Sequence, residues 1–195
     1  HLELGFLWGI FGYLTENSNF CEAAKKLASW HSHLLNHLFE PSIGVFTKEK
    51  DHNQDEHSLA HYMLFRLIAM LFKEGSYESL ATYQLKRLQS SNLNTCSSLA
   101  KYALLNTWIR KNLDYVSPQP PKKESILLDP YNALACFKQN QATFFSILSG
   151  TQTGLGHVHF GKTAFVNFGP QRYPLDQCNH FGILESLPIN TPPSC

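Results

Sequence analysis

Two histidines, His157 and His159, are separated by one residue in a segment with the composition of a β-strand. Side chains two residues apart on a strand point to the same side of the sheet, so both imidazoles would lie on one face. Cys178 or His180 could supply a further ligand beyond the next bend of the chain, and such a set of nitrogen and sulfur donors suits zinc. The pattern indicates a candidate zinc site. The alternative is a pair of buried histidines that are hydrogen-bonded to the backbone.

Two other histidine pairs have helical spacing. His33 and His37 are four residues apart, as are His57 and His61, and such a pair can hold a metal ion from one face of a helix. Neither pair belongs to the zinc-metalloprotease motif, because the residue after the first histidine is not the glutamate that this motif requires. Surface or packed histidines are the alternative for both pairs.

The composition argues against several classes of function. The 195 residues carry 16 Lys plus Arg against 15 Asp plus Glu, and this balance argues against a nucleic-acid partner. The first apolar run, Leu4 to Leu14, is shorter than the ~20 residues of a membrane span, so no membrane span is expected. No phosphate-binding glycine loop and no Gly-x-Ser-x-Gly elbow occurs in the sequence. The five scattered cysteines favour free thiols in a reducing compartment, and the start at His1, without a signal peptide, favours a fragment or a processed product.

Residues 1–113 have helical periodicity and contain a single proline, Pro41. The pattern predicts five helices, near 2–15, from 19 to before 41, from 53 to 72, over 76–90 and over 95–112. Asn19 and Asn53 each precede a glutamate by three residues, a variant of the capping box that starts a helix. The third helix is apolar nearly all round, which indicates burial on most sides. Helix pairs that recur every 40–50 residues predict antiparallel α-hairpins, as in an α/α toroid or a solenoid.

The second part of the chain has a different composition. Residues 117–130 are rich in proline and predict a linker. Residues 131–195 alternate short aromatic and β-branched runs with turn residues, which predicts an antiparallel meander with a tail. Strands are expected over 134–138, 142–148, 157–160, 163–168 and 180–184. A type II′ turn at Gly161-Lys162 would pair His159 with Ala164 and His157 with Val166. The predicted class is therefore α+β, with a helical domain over 1–116 and a β region over 131–195.

The start of the third helix resembles the inner-helix motif of heparinase II/III-type and alginate-lyase-type polysaccharide lyases. The family's Glu-Gln-Ser element is matched at Glu56 and Ser58, with His57 in the place of the glutamine. Its Tyr-His pair is present in inverted order as His61-Tyr62, and its Asp-Gly-Ser element is missing. The order of helical hairpins, linker and β meander is similar to the junction between the α/α toroid and the antiparallel β-sandwich of that family.

This resemblance implies β-elimination on a uronic-acid polymer. A base removes the proton α to the carboxylate, an acid protonates the leaving oxygen, and a cation or a strong hydrogen-bond donor neutralises the carboxylate. The candidate catalytic residues are Tyr62, His61, His57 and Arg66. Candidate substrate-binding residues are Glu56 and Arg172. Heparinase-type lyases can also carry a structural zinc with histidine ligands in the sandwich, and the hairpin at 157–168 is similar to such a site.

Three functions follow as expectations. The first is a fragment of a lyase-like protein that binds a polysaccharide or has lost catalysis. The second is a non-catalytic helical interaction module with a protein partner, and the third is a small zinc-binding domain. An enzyme needs Tyr62, Arg66 and the histidines exposed in one cleft. In the structural alternative, Arg66 pairs with a carboxylate from a neighbouring helix and Tyr62 belongs to the core.

Overall fold

Five helices occupy the first part of the computed structural model, which describes residues 2–40, 54–90, 96–131, 134–147, 156–170 and 181–182. The helices are α1 (Leu2–Leu14), α2 (Ser18–Leu34), α3 (Gln54–Phe72), α4 (Gly75–Ser90) and α5 (Cys96–Asn112). An antiparallel sheet follows them, so the predicted α+β class is confirmed. The toroid arrangement stays a prediction. None of the described helices is both long and apolar enough to cross a bilayer.

The chain divides into two compact units that are not contiguous in sequence. Unit 1 comprises residues 1–32 and 51–122, and unit 2 comprises residues 33–50 and 123–195. The boundary at Ser32–His33 falls in the last turn of α2, so the segment that follows this helix groups with the sheet and not with the other helices.

Helix α3 forms the centre of unit 1. Its apolar side chains are buried nearly all round, which confirms the prediction from its composition. Leu64, Phe65, Leu67 and Ile68 have no exposed surface. The polar residues of this helix therefore lie among core side chains.

Helix α1 packs in unit 1 through the three glycines that we call the glycine face, Gly5, Gly9 and Gly12. A Cβ atom placed on Gly5 or Gly9 would meet leucine side-chain tips of α2 or α3 at 2.6 to 2.7 Å. Helix α5 lies beside α1 in parallel orientation, because Lys101 pairs with Glu3 (2.9 Å) near the start and the Tyr13 hydroxyl donates to the Asn112 carbonyl (3.0 Å) near the end.

Within the described residues six strands form the meander, in the spatial order of the sequence. They are β1 (Ser125–Asp129), β2 (Leu134–Gln139), β3 (Ala142–Ile147), β4 (Gly156–Phe160), β5 (Thr163–Pro170) and β6 (Phe181–Gly182). Strand β1 lies inside the segment that the prolines predicted as a linker, and its residues 125–129 pair with β2 over their whole length. The prediction of a linker rests on the proline-rich part of the segment before β1. It missed the short Ile-Leu-Leu run that follows and forms the strand.

The hairpin between β4 and β5 has the predicted turn. Gly161 has a φ of 57° and Lys162 is not among the residues with positive φ, as a type II′ turn requires. His159 pairs with Ala164, as predicted, but a register shift between Gly156 and Val158 brings Gly156 opposite Phe168. The expected pair of His157 with Val166 is therefore not part of the register, because a β-bulge at this point places an extra residue in one strand.

The two faces of the sheet differ in burial. One face carries buried side chains on β2, β3 and β4, among them Cys136, Lys138, Thr143 and His159. The opposite face is apolar but exposed. Its most exposed large side chains are Ile126, Leu128, Phe137 and Phe160.

Candidate functional site

The candidate catalytic tyrosine and histidine of α3 lie in the core of unit 1. Tyr62 is 1% exposed, and its hydroxyl donates to Oδ1 of Asn106 at 2.7 Å. His61 has no exposed surface and contacts the ring of His31 edge to face, with centroids 5.3 Å apart. A polymer in solution has no access to either ring in this arrangement.

Arg66 forms a buried ion pair with a neighbouring helix. Its Nη1 lies 2.5 Å from Oε1 of Glu78 on α4, and the two side chains are 17% and 3% exposed. Burial raises the pKa of Glu78, and the guanidinium of Arg66 opposes this shift. This is the geometry of the structural alternative, in which the arginine pairs with a carboxylate from another helix and the tyrosine packs in the core. The observed contacts favour a structural role for Tyr62, His61 and Arg66.

The other predicted site residues are described in part or not at all. Glu56 and His57 lie in the first turn of α3, and His157 lies in β4, but their side chains fall outside the described part of the structure. Arg172, Cys178 and His180 fall outside the described residues entirely. Within the described residues no group of three or more His, Cys, Asp or Glu side chains could hold a metal ion, so the zinc prediction finds no support there.

The described histidine of the predicted zinc site belongs to a buried polar row of unit 2. His159 is opposite Thr143, and Thr143 is opposite Lys138, on three adjacent strands. Burial lowers the pKa of His159, with a further lowering by His37 and an opposing effect of Glu40. Burial also lowers the pKa of Lys138 to about 8 and raises that of Cys136 to about 11, so the thiol is neutral near pH 7 while the lysine keeps most of its charge.

A short segment after α2 covers this row. His37 lies with Nε2 2.9 Å from the Gly161 carbonyl and Nδ1 3.3 Å from Oγ1 of Thr143. Since a carbonyl oxygen only accepts, Nε2 of His37 carries a hydrogen in this contact. The side chain of Asn36 fixes the backbone conformation of the segment, because its Oδ1 accepts from the backbone amides of Leu38 (2.8 Å) and Glu40 (3.0 Å).

Because the pKa of His159 is lowered in the folded state, the free energy of unfolding of unit 2 should decrease in acid. The unfolded chain takes up a proton near pH 6.5, while the folded state resists protonation of this ring until a lower pH. As the pH falls below 6.5, the unfolded state binds more protons and the free energy of unfolding of unit 2 decreases. We expect His159→Gln to lose less stability than the wild type between pH 7.5 and pH 5.5.

Urea unfolding followed by the ¹H–¹⁵N amide signals of β2, β3 and β4 measures this difference in unit 2. Trp8, Trp30 and Trp108 all belong to unit 1, so tryptophan fluorescence provides an internal comparison. An equal loss of stability in wild type and variant over that range would show that His159 does not carry the effect.

The end of the sheet that carries the β2–β3 and β4–β5 turns contains a depression of about 490 Å³. It is lined by Lys123, Gln139, Asn140, Gln141, Ala142 and Phe160. The ring of Phe160 is 61% exposed. The depression therefore combines one aromatic face, three primary amides and one ammonium group.

Hydrogen bonds fix the two turns that form this depression. The amide of Gly161 donates to the Gln141 carbonyl at 2.9 Å, which joins one turn to the other. The carbonyl of the same glycine accepts from His37. Asn140 has a φ of 49°, in the left-handed region that asparagine tolerates better than most residues. Hydrogen bonds to the backbone of Gln141 and Gly161 thus fix the two turns that carry the lining side chains.

The sequence patterns did not identify this depression. They marked 139–140 as a turn, one residue before the turn at Asn140-Gln141 that follows the pair Gln139–Ala142, and they placed the turn at Gly161-Lys162 correctly. They did not predict β1. It is the pairing of β1 with β2 that brings Lys123 beside the β2–β3 turn. The signal for this site in the sequence was the run of three amide side chains at 139–141, because a two-residue turn does not require a glutamine before it and another within it.

Comparison of the chain with protein-family models, with curated proteins and with solved structures finds no match.

Proposed function

We propose that unit 2 binds carbohydrate in the depression at the β2–β3 and β4–β5 turns. The observation that carries the proposal is the exposed ring of Phe160 next to three primary amides and the Lys123 ammonium. The apolar C–H face of a sugar ring packs on an aromatic face. Primary amides both donate and accept hydrogen bonds, as sugar hydroxyls do, so three amides around one ring suit a saccharide.

Lys123 adds a preference for an acidic sugar. An ammonium group beside an aromatic ring can pair with the carboxylate of a uronic acid. This agrees with the uronic-acid polymer that the lyase resemblance implies. Within unit 1, the contacts of Tyr62, His61 and Arg66 support a packing role, so the proposal assigns binding and not β-elimination to this chain.

Titration of the ¹⁵N-labelled chain with a uronic-acid hexasaccharide, and with a neutral hexasaccharide of glucose, tests the proposal. We expect amide shifts at 139–142 and 160 with the acidic oligomer. Phe160→Ala should weaken binding by at least about tenfold, equivalent to ~1.4 kcal/mol. Lys123→Gln should weaken it by a smaller factor and reduce its dependence on salt.

Two matched controls separate the depression from general surface effects. Tyr131→Ala removes an aromatic ring that is 99% exposed and lies outside the depression, and Lys86→Gln removes an exposed ammonium on α4 of unit 1. Both should bind as the wild type does. The absence of shifts with both oligomers would contradict the proposal, and so would equal losses in Phe160→Ala and Tyr131→Ala.

A further inference from the structure

The chain between α5 and β1 contains a short run of prolines that belongs to unit 1. Residues 117–122 read Ser-Pro-Gln-Pro-Pro-Lys, and we call them the proline segment. The proline segment forms neither helix nor strand. Its role in the structure therefore depends on its own conformation and on what it leaves accessible.

Proline restricts nearly every residue of this segment to one type of backbone. The pyrrolidine ring fixes φ near −65°, and the residue before a proline is restricted to extended conformations. Ser117, Gln119 and Pro120 each precede a proline, so both restrictions act over the whole run from 117 to 121. None of these residues has a positive φ. The sequence thus favours a polyproline II helix, which has three residues per turn and no internal hydrogen bonds.

The start of α4 anchors the backbone of the proline segment. The Gln119 amide donates to the Gly75 carbonyl at 2.9 Å. A Cβ atom placed on Gly75 would collide with the Ser117 carbonyl oxygen and would lie 2.7 Å from Cγ of Gln119. The absence of a side chain on this glycine therefore lets the segment lie against the helix. A segment that is already held in one conformation loses less conformational entropy when a partner binds it.

This anchor leaves the proline rings accessible. Pro118 and Pro120 are exposed, and Pro121 is half-buried. At three residues per turn, Pro118 and Pro121 lie on one edge of the polyproline II helix, and Gln119 lies on another. Lys122 follows directly, and its exposed side chain adds a positive charge at the end of the segment.

From these contacts and exposures we propose that the proline segment is a docking site for a protein domain of the SH3 type, with an aromatic-lined groove that takes polyproline II helices. Such grooves recognise two prolines in the spacing Pro-x-x-Pro, which Pro118 and Pro121 provide. Lys122 favours a groove with a carboxylate at the corresponding end. The segment lies in unit 1, so this proposal is independent of carbohydrate binding by unit 2.

Titration of the ¹⁵N-labelled whole chain with a panel of purified SH3 domains, with and without acidic residues beside the groove, tests the proposal. We expect saturable binding to at least one of the acidic domains, with shifts of the Gln119 and Lys122 amides. Pro118→Ala and Pro121→Ala should each raise the dissociation constant of that complex by at least about tenfold. Lys122→Gln should raise it by a smaller factor and reduce its dependence on salt.

Pro130→Ala is the matched control, because it removes an exposed proline outside the segment, between β1 and β2. This variant should bind as the wild type does. Urea unfolding followed by tryptophan fluorescence checks that unit 1 remains folded in the variants of the proline segment.

Three results would overturn the proposal. The first is the absence of binding to every domain of the panel at concentrations up to about 100 μM. The second is a complex that forms equally well with wild type and with folded Pro118→Ala and Pro121→Ala, which would place the contact elsewhere. The third is an equal loss in Pro118→Ala and Pro130→Ala, which would show that the spacing in the proline segment is not what the domain recognises.

Discussion

Arg66→Met is expected to lower the free energy of unfolding of unit 1 by about 3 kcal/mol, because it leaves a buried carboxylate without its cation. The Glu78 side chain is 3% exposed, and Oε1 accepts from Arg66. Among the described residues its other oxygen, Oε2, has no hydrogen-bond partner. The arginine therefore provides the compensation for this buried charge.

The pH dependence of the variant provides a second measurement. Burial raises the pKa of Glu78 in the folded state, and Arg66 opposes that shift. Without the arginine the folded state favours the neutral acid more strongly. A carboxyl group with a raised folded pKa contributes stability at low pH and loses it as the pH rises through that pKa. Arg66→Met should therefore be closer to the wild type at pH 4.5 than at pH 8, as measured by urea unfolding with tryptophan fluorescence.

A double variant separates the cost of an unpaired charge from the loss of packing. Arg66→Met with Glu78→Leu replaces the ion pair with apolar groups, and such replacements of buried pairs are often neutral or stabilising. We expect the double variant to recover to within about 1 kcal/mol of the wild type. If it is as unstable as Arg66→Met, the pair contributes through its shape and not through its charges.

Gly12→Ala is expected to destabilise unit 1 by about 2 kcal/mol, although alanine is the better helix former by about 1 kcal/mol. A Cβ atom at this position would lie 2.7 Å from Sγ of Cys21, 2.8 Å from the backbone nitrogen of Cys21 and 2.9 Å from the Asn17 carbonyl oxygen. Two of these atoms belong to the backbone at the start of α2. They cannot move away without opening the turn, whose amide at Asn17 donates to the Gly12 carbonyl at 2.8 Å.

Gly9→Ala is the matched control on the same glycine face. Its Cβ would meet a terminal methyl carbon of Leu67 at 2.7 Å, with the next atoms at 3.5 and 3.6 Å. A leucine tip can rotate, so the clash is smaller and the gain in helix propensity offsets part of it. We expect this variant to lie within about 1 kcal/mol of the wild type by urea unfolding. Equal losses at both positions would show that the backbone contact at Gly12 is not the cause.

Local patterns were sufficient to predict the described helices and the strands β2 to β6, but not β1, which falls in the predicted linker. The helices begin and end within two residues of the predicted positions, apart from the end of α2, because apolar periodicity is a property of short segments. The predicted cap at Asn19 was wrong, since α2 begins at Ser18 and Oδ1 of Asn17 accepts from the Asn19 amide. The predicted cap at Asn53 lies outside the described residues. The β4–β5 turn follows from one glycine at the required position. The burial of α3 follows from the absence of a polar face on that helix.

The partners of polar side chains were not predictable from the sequence. Tyr62 donates to Asn106, 44 residues later in the chain, and Arg66 donates to Glu78, 12 residues later. Nothing near either residue in the sequence indicates these partners. The same is true of His37, whose helical spacing to His33 suggested a metal but whose ring contacts the sheet. Catalytic and packing roles use the same residue types, and only tertiary contacts distinguish them.

The position of residues 33–40 in unit 2 has a consequence for folding during synthesis. His37 and Gly161 are 124 residues apart. At 5–20 residues per second, a ribosome needs roughly 6 to 25 s to make the second after the first. Helices α1 and α2 are made before that interval and α3, α4 and α5 within it, whereas the segment that closes over the sheet waits for its strands. Unit 1 can therefore fold while the chain is still attached, and unit 2 completes its fold only when β5 has left the ribosome. Slow translation between residues 123 and 163 would extend the period in which the ring of His37 lacks its partners on the sheet.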